Sequence, residues 1–156
     1  MTIPVRPYLH RAVLALSAVA STLSAVASAH ARPASTGTAA WLLENYPRAA
    51  VPSYPQTIAI SGCTLTVTQR PDRKTDVVTQ VDLRRAQISR YAGPGRAHVD
   101  FLTAGVFPVR FRFADGSAST GATAVAGLVT RRGDQALRIA SAFDRLRASC
   151  ARSPSR

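Results

Sequence analysis

The chain has 156 residues, with 20 Lys and Arg against 8 Asp and Glu, a formal charge of +12. That length supports one domain around one core, while two cysteines and three histidines argue against a dedicated metal site. Glu44 is the single glutamate, so paired carboxylates of the glycosidase kind would have to come from scattered aspartates.

The first segment reads as an export signal. Arg6 and Arg11 precede the apolar run "AVLALSAVASTLSAV", and Ala27-Ser28-Ala29 supplies a small-x-small cleavage site. This predicts a signal peptide over 1–29 cleaved near Ala29, with a second frame after Ala31. An uncleaved anchor is disfavoured because the run is mostly alanine interrupted by serine. Removing 1–29, which holds two arginines and no acid, leaves 127 residues with a formal charge of +10. The expectation is an exported protein, periplasmic or secreted, with no transmembrane helix in its mature part.

Residues 30–37 read as a flexible leader and 38–151 as a single globular domain. "TAAWLLENY" predicts a short helix capped by Thr38 and stopped by Pro47. Three prolines in "PRAAVPSYP" then predict an extended connector. From Thr57 the apolar period becomes two: Ile58 and Ile60, then, after a one-residue slip at Gly62, Cys63, Leu65 and Val67. The slip predicts a β-bulge at Gly62. "RPDRKTD" is a turn, "DVVTQVDL" a strand and "RRAQISRY" a short edge strand before the breaker "AGPGR". "AHVDFLT" is expected to turn at Ala104-Gly105 into "VFPVRFRF", which Asp115-Gly116 ends. "GATAVAGLVT" is a last strand of small residues.

The final element has the strongest pattern. Ala136, Ile139, Ala140, Phe143, Leu146 and Cys150 recur on one face of a helix, with Asp134 as the expected cap and pairs Asp134–Arg138 and Asp144–Arg147. Residues 152–156 read as a disordered tail. The whole predicts an α+β fold: a short N-terminal helix, an antiparallel sheet of five or six strands, and a C-terminal amphipathic helix packed on one face.

Two cysteines in an exported chain most simply form one disulfide, Cys63–Cys150, stapling the last helix to the sheet. Two buried free thiols, or Cys63 as a nucleophile, are the alternatives. The run Ala136-Leu137-Arg138-Ile139-Ala140-Ser141-Ala142-Phe143, followed by Leu146 and Cys150, resembles a pattern in small exported bacterial proteins of unknown function. In these an early cysteine opens the sheet and a terminal A-x-R-I-A-x-A-F-x-x-L-x-x-x-C helix closes the domain. The resemblance implies the same staple and fold, and no activity.

Chemistry-bearing constellations are sparse. His30 and His98 are the histidines left after cleavage, and Asp72, Asp76 and Asp82 lack the spacing of a calcium loop. Neither a cofactor nor a metal is expected. Cys63 with His98 and Asp100 is the best assembly for a thiol enzyme or small hydrolase, and it requires a reduced Cys63. Arginine offers more. Arg110 and Arg112 share a strand face, while Arg84, Arg85, Arg90, Arg131 and Arg132 fall at or near strand ends; together they form a candidate anion-binding stripe. Tyr91 beside Arg90 is too little aromatic interleaving for base stacking, so specific nucleic acid is disfavoured. The leading expectation is a non-enzymatic interaction module of the envelope or extracellular space. Alternatives are a basic domain binding anionic polymers or lipid headgroups, and the thiol enzyme or hydrolase.

Overall fold

The structure, a computed structural model, describes residues 33–93 and 96–152. The expected signal peptide and the end of the tail lie outside these residues. The elements run α1 (Pro33–Ala49), β1 (Gln56–Ser61), β2 (Thr64–Gln69), β3 (Thr75–Asp82), β4 (Gln87–Gly93), β5 (Arg96–Phe113), β6 (Ala118–Thr130) and α2 (Gly133–Ala151). The sheet is antiparallel and curled, and α2 packs on it, giving the α+β architecture that the residue patterns predict.

β5 organises the sheet. Its 18 residues pair with β6 along one edge. On the other edge, 96–102 pair with β4 and 109–113 with β3. The strand order is β1-β2-β3-β5-β4, with β6 on the remaining edge of β5. The expected turn at Ala104-Gly105 is not made. The chain instead accommodates the extra residues between Leu102 and Phe107 as a register shift against β6, and the strand continues. Pro108, which has no N–H, stands where the ladder to β3 has ended at Val109–Thr79.

Gly62 also departs from expectation. With φ +57° it sits in the two-residue turn between β1 and β2, not in a bulge. Ser61 pairs with Thr64, so Ile60 falls opposite Leu65 and Ile58 opposite Val67. The slip in the pattern is the turn itself, and both apolar sets share one face.

The core lies between this face and the two helices. α2 buries Ala136, Ile139, Ala140, Ala142, Phe143, Leu146 and Cys150, the predicted stripe plus Ala142. Phe143 meets Phe101 of β5 edge-to-face, with ring centroids 4.9 Å apart. Arg132, not Asp134, occupies the N-cap position; Asp134 pairs with Arg132 at 2.9 Å instead of with Arg138. α1 starts at Pro33, ahead of the expected Thr38 cap, so the leader's end is helical. It also continues past Pro47 to Ala49; the missing N–H falls near the helix end, where few further turns depend on it. Leu42 and Tyr46 of α1 complete the core.

Cys63 and Cys150 are disulfide-bonded, with Cα atoms 5.7 Å apart and 87 positions between them in sequence. The bond ties the β1–β2 turn to the last turn of α2.

Candidate anion-binding site

Odd positions of β5 face the core: Val99 and Phe101 are fully buried and Val109 nearly so. Alternation therefore sends Arg110 and Arg112 to the outer face, where both are exposed. Arg110 lies opposite Val78 of β3 and Thr120 of β6, and Arg112 opposite Asp76 and Ala118.

The turn between β2 and β3 brings further cations to the same place. Asp72 shapes it by accepting the Lys74 N–H at 2.7 Å. The Lys74 carbonyl accepts the Ala114 N–H at 2.8 Å, fastening the turn to the end of β5. Arg70, Arg73, Lys74, Asp76 and Arg112 line one surface cavity of about 300 Å³. Arg70 grips Asp76 through two bonds of 2.7 and 3.1 Å. That fork, helped by the charges of Arg70 and Arg112, holds the Asp76 carboxyl below the usual aspartate range.

Two more depressions continue the path. One of about 270 Å³ shares Arg112 with the first and adds Arg110, Gln80 and Pro108. The next, about 190 Å³, shares Gln80 and Pro108 and adds Arg85, Asp82 and Thr103. Six cations (Arg70, Arg73, Lys74, Arg85, Arg110 and Arg112) thus lie along the outer face against the carboxylates Asp76 and Asp82. Guanidinium groups in such a row offer paired donors to phosphate, sulfate or carboxylate oxygens.

Of the arginines singled out in the sequence, Arg85, Arg110 and Arg112 share this path. Arg84 stands in the turn after β3, its N–H bonded to Asp82. Arg90 lies on the edge strand β4 opposite Val99, on the core-bearing face. Arg131 donates from Nε to the Ala50 carbonyl and Arg132 pairs with Asp134, so both serve the β6–α2 junction. Arg70, Arg73 and Lys74 belong to a segment whose pattern predicts only a turn; their proximity to Arg112 follows from the pairing Thr75–Phe113, which no local pattern encodes.

The thiol assembly does not form. Cys63 is oxidised, while His98 borders a separate cavity of about 320 Å³ with Arg96, Tyr54 and Gln69. Among the described residues, no group of three or more His, Cys, Asp or Glu is placed to hold a metal ion. No helix among them is long and apolar enough to cross a membrane. No family model matches the chain, and no curated protein or solved structure matches it significantly.

Proposed function

We propose that this domain is an exported, non-enzymatic binding module that holds an extended anionic partner along the outer face of β3 and β5. The observation that carries the reading is the continuity of the cationic path from Arg70, Arg73 and Lys74 through Arg112 and Arg110 to Arg85. A row of exposed cations along one sheet face suits an extended chain of charges better than a single small anion. The disulfide suits an oxidising compartment, which supports export together with the N-terminal signal pattern.

Retention on immobilised heparin or polyphosphate at about 0.15 M salt tests the path. Arg110→Glu with Arg112→Glu should lose retention, whereas Arg84→Glu with Arg90→Glu, the same change in net charge off the path, should keep most of it. Equal losses in the two double variants would leave net charge as the whole explanation and sink the site.

A further inference from the structure

β6 has one edge against β5 and one edge away from it, and the two halves of that second edge are treated differently. In the half from Val125 to Thr130 several of the backbone groups are occupied. Thr123 Oγ1 donates to the Val125 carbonyl at 2.8 Å and accepts its N–H at 3.2 Å. Gln56 Nε2 donates to the Gly127 carbonyl at 2.9 Å, and its Oε1 accepts the Val129 N–H at 2.8 Å. Ala50 bridges Thr130. Side chains here do the work of a neighbouring strand.

Among the described residues, the other half, Ala118 to Ala124, has no such cover. The Phe113 N–H donates to the Ser117 carbonyl at 3.0 Å. The bonded pairs therefore continue as 111/119, 109/121 and 107/123, and the backbone groups of Ala118, Thr120 and Ala122 point away from β5. Pro108, opposite Ala122, fits this phase because no N–H is required of it towards β6. Among the described residues no strand pairs with this edge. It is exposed and carries none of the usual guards of an unpaired edge, being free of charge and of proline.

We propose that this open edge receives an extended acidic peptide segment as an added strand, antiparallel or parallel to β6, with alternate acidic and apolar side chains. It rests on the reading that Arg110 and Arg112 bind anions, and it names their partner. On the outer face, a strand added beside β6 lies two strand spacings, about 10 Å, from the backbone of Arg110 and Arg112. The side chains between are those of Ala118, Thr120 and Ala122, small enough for the two arginines to lie across them and meet carboxylates reaching back. On the inner face the half-buried Phe111 lies over Gly121 of β6, its ring 3.3 Å from where a Cβ there would stand, so its far edge is turned towards the added strand. Acid on one face and an apolar residue on the other is therefore the complementary pattern. A second copy of this chain fits less well, because it would bring a second Arg110–Arg112 pair towards the first and offer no acid.

The test uses a blocked peptide of about eight residues with valine and glutamate alternating, a second peptide with the same composition but its glutamates in one block, and a third with lysine for glutamate. Fluorescence anisotropy should show binding of the first peptide alone. Amide hydrogen exchange should slow about tenfold or more at Ala118, Thr120 and Ala122 when it is bound. Thr120→Pro removes an edge N–H without touching a bond to β5; it should abolish peptide binding yet leave heparin retention unchanged, whereas Arg110→Glu with Arg112→Glu should weaken both. If Thr120→Pro fails to fold, the exchange pattern of the unaltered protein decides. Equal binding of all three peptides, binding without protection of those three amides, or undiminished binding by folded Thr120→Pro overturns the proposal. So does protection of the same amides without peptide, accompanied by a doubled mass in sedimentation, which would place a second copy on the edge. If peptide binding and edge protection survive in the Arg110/Arg112 variant, strand addition stands and the anionic reading of the arginines falls.

Discussion

The two halves of β5 obey one alternating pattern and meet different fates. In the first half, Ala97, Val99 and Phe101 face α2 and are buried. In the second, Val109 is buried, Phe111 is half-buried and Phe113 is 40 % exposed, as the strand runs on past the helix. The edge of β6 repeats the contrast: plugged by Gln56 and Thr123 beside the covered half, open beside the other. Apolar alternation states which face a residue takes; whether that face is dry depends on how far the covering helix reaches. The covered half holds the domain together, and the open half carries the cations and the free edge.

Breaking the covered half should have the largest effects. Cys63→Ser with Cys150→Ser releases a bond that closes a long loop, worth about 4–5 kcal/mol in the chain-entropy model. Thermal unfolding should shift down by roughly 15–20 °C. Phe143→Ala removes the ring that meets Phe101 and should cost about 3–5 kcal/mol by denaturant titration. Phe113→Ala, at the equivalent alternation on the open half, should cost less than about 1 kcal/mol. Similar losses at the two phenylalanines would abolish the distinction between the halves.

Gln56→Leu probes the boundary. It leaves the Gly127 carbonyl and the Val129 N–H without the glutamine, and it removes the acceptor of the buried Tyr46 hydroxyl, 3.0 Å away. Its expected cost is about 1–3 kcal/mol, with faster amide exchange at Val129. The smallest effect belongs to Asp76 in the open half. Its lowered pKa means that the Arg70 fork stabilises the fold above the ordinary aspartate value of about 3.9, and that this is lost as pH falls through the lower folded value. Asp76→Asn should therefore flatten the acid end of the melting profile slightly, since the pair is exposed. At neutral pH the same variant should elute later from a polyanion column, because one competing carboxylate has gone.

Much of this was legible in the residue pattern. The helical phase of Ala136 to Cys150 survives folding because it reports burial against one surface, whatever that surface is. Cysteine parity, with the signal-like pattern expected over 1–29, pointed to the bond that the structure contains. Ala104-Gly105 misled because small residues mimic a turn, while β6 carries β5 through them by pairing on one edge. Gly62 misled differently: in a two-residue hairpin the partners are three apart, so a slip of one in the apolar phase brings both sets to the same face. The cationic path was half visible. Arg110 and Arg112 announce a face by alternation, but Arg70, Arg73 and Lys74 join them through a pairing between positions almost forty residues apart.

The sequence by itself determined the local periods, the apolar stripe of α2 and the presence of one cysteine pair, since each depends on near neighbours or on composition. Tertiary structure decided that β5 stays unbroken, that β3 and β4 divide its one edge, and that six cations fall on a single path. A period of two assigns side chains to faces without naming the strand alongside; that choice is made by the long-range fit of the whole sheet against its helices.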